Sequence, residues 1–480
     1  MDLIVEEDAQ ANTIDEPPKD IPQESMPEEN FAADGMAYQP DLAQLSPYDK
    51  INFKNLARKD LEFRKIWQNT SGHLDFQDSR TIKTITKAHL NADFGIEIDL
   101  PDDRLCPPVP NRFNYVAWIQ GLIDSTNPDY TDGYDPNREV VGLDIGTGAS
   151  AIYTLLLLRM RSNWTMCATD VDKKSFDSAA HNLALNNMLT RTKMLQTIDT
   201  NDLIPIKYLG VEKLDFTICN PPFFENEKDM HNSLKGEGKS SKPNAVCTGS
   251  EGEMICAGGD LGFVTRLVHE SLALRDKVTW YSSMLGKMNS AKAIINLLKK
   301  HGVSNWAVGC LEPGGVTKRW IVAWSFGDLR PKNDIARIET IAHEFLPFPT
   351  QYKIQLNEQL VMANVFERIN KQLSSLDLSW VWDPATSSGL GLAPQNVWNR
   401  KYRRQQKAKE AVAGKSSKNL AIHDEDDTKL VALAFRISVF EHPTKVLRID
   451  WLRGSDNVLW ESFCGFIHQG FKKNKDQEYQ

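Results

Sequence analysis

The chain has 480 residues, 41% of them hydrophobic and 9% aromatic, which leaves room for two or three domains with apolar cores and excludes a chain unfolded throughout. No apolar run approaches a membrane span, and the N-terminus is acidic rather than basic-then-apolar as a secretory signal would be. The net charge of −8 argues against a nucleic-acid partner only when pooled: acidic residues crowd the first fifty positions and Asp424–Asp427, whereas basic residues gather at Arg400, Lys401, Arg403, Arg404, Lys407 and Lys409.

In chain order, residues 1–47 are acidic, proline-bearing and poor in aromatics, and predict a disordered tail. A helical lead-in follows over 48–68, then a helix around Thr81–Leu90. Phe94–Leu100 alternates and predicts a short strand. Pro107, Pro108 and Pro110 bend the chain into an aromatic helix beginning near Arg112. From Val140 the pattern becomes strand–helix units. The strands are Val140–Ile145, Trp164–Ala168, Lys193–Ile198, Leu214–Cys219, Lys277–Ser282, Trp306–Leu311 and Arg319–Phe326; the helices are Ala149–Met160, Lys173–Asn187 and Leu261–Leu274. Such alternation predicts an α/β fold, a mostly parallel sheet of seven strands with helices on both faces. After about residue 330 it stops. A strand-like piece and the amphipathic helix Leu360–Leu373 come first; 384–393 (Ser/Gly-rich) and 411–428 (polar) read as linkers or loops. A hairpin, Leu430–Phe440 and Val446–Leu452, and the helix Val458–Phe471 complete a small α+β module. The seven cysteines are scattered without C-x-x-C, which suits a reducing compartment and no structural zinc.

Three constellations carry chemistry. Asp144-Ile145-Gly146-Thr147-Gly148-Ala149 lies between a strand and a helix, where glycines allow close backbone approach and the helix start favours an anion. It is short of G-x-G-x-x-G, so it is either a binding turn or simply a turn. Asp170 ends the next strand and suits ribose hydroxyls, while Asp172 suits the N-cap of the following helix. Thr200 and Asp202, past the third strand, are placed to hold the adenine of the same nucleoside. Asn220-Pro221-Pro222-Phe223 ends an apolar strand. Two prolines cannot continue a ladder, so the chain turns with the Asn amide and free carbonyls at the strand's C-terminal end. An amide oxygen, a carbonyl and an aromatic ring, Phe223 or Phe224, suit a planar NH2-bearing group such as adenine.

Together with Trp280-Tyr281-Ser282, Met284-Leu285-Gly286-Lys287, Arg319-Trp320 and Ala323-Trp324-Ser325-Phe326, and with Asp93-Phe94-Gly95-Ile96 and Arg112-Phe113-Asn114-Tyr115 upstream, these motifs resemble the methyltransferase-like protein 16 family of RNA adenine-N(6) methyltransferases over roughly residues 50–327. The resemblance implies a Rossmann-like class I methyltransferase and S-adenosyl-L-methionine as cofactor. It also implies RNA as partner: U6 snRNA, with hairpins in S-adenosylmethionine synthetase transcripts as a second candidate, and a role in mRNA splicing or processing. Carried over by motif, Arg112, Gly146, Asp170, Thr200 and Asn220 contact the cofactor; Asn220, Pro221, Pro222 and Phe223 form the catalytic motif. The family commonly has Glu at the position of Asp170, and a basic residue at that of Val316, where Lys318 could substitute. The resemblance divides the chain into the tail, a methyltransferase domain over 48–330 (an RNA-binding extension, 48–135, and the core, 136–330), and a kinase-associated-like RNA-binding module over 331–480. It implies the nucleus as location, with the cytoplasm as a second.

Phe224, Lys287 and Arg319 near strand ends are candidate RNA contacts, the two cations being either phosphate ligands or solvated charges. Arg400, Lys401, Arg403 and Arg404 are read as an RNA-backbone contact ahead of a solvated helix or a nuclear localisation signal. Glu225–Asp260 is long and polar and is expected to be a mobile lid. No metal is called for. Protein-glutamine and ribosomal RNA methyltransferases also use Asn-Pro-Pro-aromatic and remain open, as does an RNA-binding scaffold with little turnover.

Overall fold

The computed structural model describes residues 42, 45–199, 202–235, 249–313, 318–337, 345, 349–413 and 431–472. Nearly all of the acidic tail, Thr200, Val316 and residues 414–428 lie outside them.

The seven expected strands form one sheet: β1 Val140–Ile145, β2 Trp164–Asp170, β3 Thr192–Gln196, β4 Leu214–Cys219, β5 Val278–Leu285, β6 Asn305–Leu311 and β7 Arg319–Ser325. Their order is β3-β2-β1-β4-β5-β7-β6, parallel from β3 to β5, with β7 antiparallel to both its neighbours. Strand order reverses between β1 and β4. The apolar side chains of the sheet divide between its two faces. On one, Phe216 and Trp280 pack with Phe113, Val116, Ile152 and Leu155 of the helices Val109–Ser125 and Ile152–Met160. On the other, Leu143 and Tyr281 pack with Val264, Leu267, Ile294 and Leu298 of the helices Gly259–Leu274 and Met288–Lys300. Each such side chain contributes about 1.5–3 kcal/mol on burial. The helix Met288–Lys300 had no counterpart in the sequence reading, although Ala291, Ile294, Ile295 and Leu298 fall on one buried face.

The N-terminal extension is helical: Phe53–Lys59, Leu61–Asn69 and Ser79–Phe94, capped by the side chains of Asn52, Asp60 and Asp78. Phe94–Leu100 is not a strand. Phe94 ends the third helix, Gly95 closes it at φ +60°, and the residues that follow are extended with alternating burial but join no sheet. Their backbone groups pair instead with two asparagines of the helix Lys173–Leu185 and its cap. Asn182 accepts from Asp99 N–H at 2.7 Å and donates to its carbonyl at 2.9 Å; Asn186 does the same at Glu97, at 3.0 and 2.6 Å. Amide side chains thus do the work of a neighbouring strand. Upstream, Asn114 exchanges two hydrogen bonds with the Tyr48 backbone, which ties the lead-in to the helix carrying Arg112.

The C-terminal module is an antiparallel sheet, β8 Gln351–Gln355, β9 Ser379–Asp383, β10 Ser388–Ala393, β11 Leu433–Phe440 and β12 Val446–Arg453, in the order β8-β12-β11-β10-β9. The helices Met362–Ser374 and Asn457–Lys472 pack Ile369, Leu373, Phe463 and Ile467 against it. The stretch 384–393, expected as a linker, supplies β10. Its glycines are a packing requirement: a Cβ at Gly389 would fall 2.3 Å from Trp380, and one at Gly391 2.1 Å from Phe435. Aromatic rings of the neighbouring strands occupy the space that side chains would take.

A seam joins core to module. Leu329 bridges Arg453, Arg330 N–H donates to Leu452 O, and Gly454 N–H donates to Asp328 O. The buried Arg330 guanidinium reaches Gly454 O (2.8 Å) and Ser304 O (3.1 Å) and lies 4.5 Å over the Trp451 ring.

Candidate active site

Ile145 of β1 is in register with both Thr169 of β2 and Cys219 of β4. The Gly146–Gly148 turn, Asp170 and Asn220 therefore leave the sheet at one edge although Gly146 and Asn220 are 74 positions apart in the chain. In open α/β sheets the crevice at a reversal of strand order is the ligand site.

Gly146 and Gly148 adopt φ of +67° and +65°, a region disfavoured for side-chain-bearing residues. Nothing lies within 4 Å of a Cβ placed on Gly146, so its backbone angle, not crowding, calls for glycine there. Ala151 follows at φ +51°, a strained value for a residue with a Cβ. The helix Ile152–Met160 starts without a side-chain cap, which leaves its first N–H groups available. Beneath the turn, Asp144 is fully buried. One carboxylate oxygen accepts the Thr147 and Thr154 hydroxyls at 2.8 and 3.0 Å; the other has no partner among the described residues. Burial pushes this carboxyl up to about 6 in spite of the two hydroxyls.

Asp170 accepts from Gly148 N–H (2.8 Å) and Asp172 N–H (2.9 Å). Burial raises its carboxyl above the usual carboxylate range, and these bonds oppose the rise. Asp172 caps the next helix, accepting from Ser175 N–H at 2.7 Å, and pairs with Arg104 at 2.8 Å. Asp172 thus takes the cap position that its place in the sequence suggests.

Arg112 enters from the helix Val109–Ser125. Its Nη1 donates to Asn220 Oδ1 and to Tyr153 Oη, both at 3.2 Å, and reaches Met284 Sδ at 3.5 Å. None of these partners is a carboxylate, so among the described residues a buried cation is held by neutral groups. Asn220, half-buried at the end of β4, presents its amide oxygen toward Arg112. The Phe223 ring lies next, with the Arg319 guanidinium 5.3 Å from its centroid. Burial, and then the nearby Arg112, lowers the Arg319 guanidinium from its ordinary value. Lys287 is exposed beside this group, at the start of the helix Met288–Lys300.

Phe224 is held differently. Its N–H donates to Met254 O (2.9 Å), and Cys256 N–H donates to its carbonyl (3.0 Å). The segment Glu225–Asp260, expected as a loop, carries the helix Glu227–Lys235 and the turn Glu251–Met254 in its described parts; 236–248 lie outside them. Ser250 and Glu253 form a capping box, a Ser-x-x-Glu signal that the loop reading passed over. Lys318 is paired with Glu312 at 2.8 Å. Arg400, Lys401, Arg403 and Arg404 lie exposed on the helix Arg400–Ala413, whose contacts are with the module: Tyr402 with Asp377, Arg403 over the Phe466 ring. The structure does not bring them to the crevice. Tyr153, Asp260 and Gly286 belong to the site and were not singled out as site residues. The signal for Gly286 was its place just after β5, as Asn220 comes just after β4.

A description of RNA methyltransferases matches residues 43–328 as a family. The chain belongs to the methyltransferase-like protein 16 family of RNA methyltransferases. The U6 small nuclear RNA (adenine-(43)-N(6))-methyltransferase of Schizosaccharomyces pombe is 32% identical over 407 residues, 84% of this chain and 97% of that protein. The RNA N(6)-adenosine-methyltransferase METTL16 of Homo sapiens is 36% identical over 290 residues, 58% of this chain and 49% of that protein, so the chain spans about half the length of that relative. The crystal structure of the hMettl16 catalytic domain in complex with MAT2A 3′UTR hairpin 1 is 35% identical, with a TM-score of 0.50 over 57% of this chain and 91% of that one. The chain is an S-adenosylmethionine-dependent RNA methyltransferase of the class I fold.

Proposed function

We propose that this enzyme methylates the N6 amine of an adenosine drawn out of structured RNA, with U6 snRNA as its main substrate and hairpins of S-adenosylmethionine synthetase transcripts as a second class. The observation that carries the reading is Asn220: an amide oxygen at the end of β4, fixed by Arg112 and next to the Phe223 ring.

The crevice fits the cofactor. Arg112, whose partners among the described residues are neutral, suits the carboxylate of the methionine moiety, with the open Gly146 turn beside it. Asp170 suits the ribose hydroxyls, and Thr200 is assigned to the same nucleoside. When bound, S-adenosylmethionine supplies a methyl group already activated by its sulfonium. The protein's task is placement. The adenine amine is a poor nucleophile because its lone pair is delocalised into the ring. Asn220 Oδ1 and the Pro221 carbonyl accept its two hydrogens and turn that lone pair out of the ring plane; Pro222 keeps the turn rigid. Phe223 stacks on the base. The proton leaves the amine after transfer, so no side chain is assigned as base. The base must unstack to enter, which favours bulged or single-stranded positions.

RNA is held by Phe224, Lys287 and Arg319 at the crevice, by the extension 48–135, and by Arg400, Lys401, Arg403 and Arg404 on the module 331–480. Splicing-linked RNA in the nucleus is the setting this substrate implies. The test is Asn220→Ala, assayed by nucleoside mass spectrometry on a U6 hairpin. Turnover falls about 100- to 1,000-fold, as when a preorganised polar group of an active site is removed, while RNA affinity by gel shift holds. Undiminished N6-methyladenosine from the variant refutes the mechanism.

A further inference from the structure

Nothing in Asn-Pro-Pro-Phe itself sets the angle of the Phe223 ring, because a half-buried phenylalanine after two prolines retains its side-chain rotamers. The surrounding structure sets it. A Cβ on Gly286 would lie 2.9 Å from Phe223 Cδ1, so the ring edge rests against bare backbone after β5. A Cβ on Gly259 would lie 3.0 Å from the Phe223 carbonyl, so the start of the helix Gly259–Leu274 holds the same residue from its backbone side. The Arg319 guanidinium covers one ring face at 5.3 Å.

One buried carboxylate ties these supports together. Asp260, 5% exposed, follows Gly259 directly. Its Oδ2 accepts from Gly286 N–H at 2.7 Å, and its Oδ1 accepts the Ser290 hydroxyl at 3.0 Å. Its charge also acts on Arg319. Burying a carboxylate costs free energy unless its partners offset the loss of water. Here those partners are the turn after β5, the helix that follows it, and the cation over the ring. We infer that Asp260 is a positioning residue for methyl transfer: it pins Gly286, and through Gly286 the Phe223 ring, at the level where the target base stacks. The inference rests on Phe223 being the stacking residue.

The test uses the full chain with Phe223→Ala, Gly286→Ala, Asp260→Asn and Asp260→Ala, measuring kcat and KM on hairpin RNA, S-adenosylmethionine affinity by calorimetry, and melting temperature. Asp260→Ala and Gly286→Ala are expected to lower kcat about 10- to 100-fold, the scale of a small misplacement of a reacting group, with cofactor affinity unchanged. Asp260→Asn keeps an amide oxygen for Gly286 N–H and recovers most of kcat. A purely structural Asp260 would lower melting temperature and cofactor affinity together and leave Gly286→Ala at wild-type kcat; that result overturns the inference. If Asp260→Ala does not fold, Gly286→Ala decides on its own, since it adds one methyl group at the ring edge. If Phe223→Ala retains wild-type kcat, the stacking reading fails. If Phe223→Ala is inactive while Asp260→Ala and Gly286→Ala are normal, stacking stands and positioning by Asp260 falls.

Discussion

At the seam between core and module, charge meets charge. Asp132 takes Lys332 at 2.5 Å and Arg436 at 3.3 Å; Arg453 pairs with Asp328 at 3.0 Å and donates to the Tyr130 hydroxyl at 3.1 Å; Arg330 is bound by two carbonyls and a Trp face. In the crevice the same residue types are left incomplete. Among the described residues, Arg112 has neutral partners only, Asp144 keeps one bare oxygen, and Arg319 has a ring and the Lys318 carbonyl. Buried polar groups are ordinarily satisfied, so a buried cation and a buried carboxylate left incomplete at the same sheet edge suit a site that a ligand would complete. The contrast separates arginines whose partners complete them within the fold from the arginines proposed to meet a ligand.

Substitutions can break that contrast. Arg330→Ala strands buried carbonyls and uncovers Trp451, and is expected to cost about 3 kcal/mol of unfolding free energy in urea melts, with cofactor affinity unchanged. Asp144 comes next, through pH. Its folded carboxyl titrates near 6, above the roughly 3.9 of an unfolded Asp. The folded state therefore binds the extra proton between those values, and the stabilisation present at low pH is lost as pH rises through 6. Relative to Asp144→Asn, the native chain should lose about 2 kcal/mol between pH 4 and 7; a flat difference across that range would mean that the carboxyl is solvated. Arg112→Ala should weaken S-adenosylmethionine binding about 10- to 100-fold by calorimetry, the worth of a charge-assisted bond, with little loss of stability. Loss of stability there, or of cofactor affinity at Arg330→Ala, would erase the distinction. Gly391→Ala, driven into Phe435, is expected to cost about 1–3 kcal/mol by overpacking without touching cofactor binding.

The core was legible because its signals are local. Apolar strand runs, glycines after β1 and prolines after β4 each report a backbone requirement at their own position. That Gly146 and Asn220 meet follows from strand register, which the motif order implies. What stayed hidden depends on distant partners. Gly389 and Gly391 look like linker glycines until Trp380 and Phe435 are seen to fill the space above them. Phe94–Leu100 alternates as a strand does because one side is buried, yet the partners of its backbone are amide side chains 83 and 89 residues away. Asp260 and Tyr153 carry no motif at all; only the geometry shows what they touch.

The helix Val109–Ser125 has a consequence for any shortened version of the enzyme. One end delivers Arg112 to Asn220; midway, Trp118 donates to Ile335 O at 2.9 Å; beyond the other end, Tyr130 and Asp132 are gripped by Arg453 and Arg436 of the module. Seventeen residues make a rod of about 26 Å braced at its middle and beyond its far end by chain that a catalytic fragment would discard. Cutting after β7 removes those braces and leaves the helix held by its packing on the sheet alone, with the residue assigned to the methyl donor's carboxylate near its first turn. A trimmed enzyme would thus report cofactor affinity with the far half of that helix unanchored.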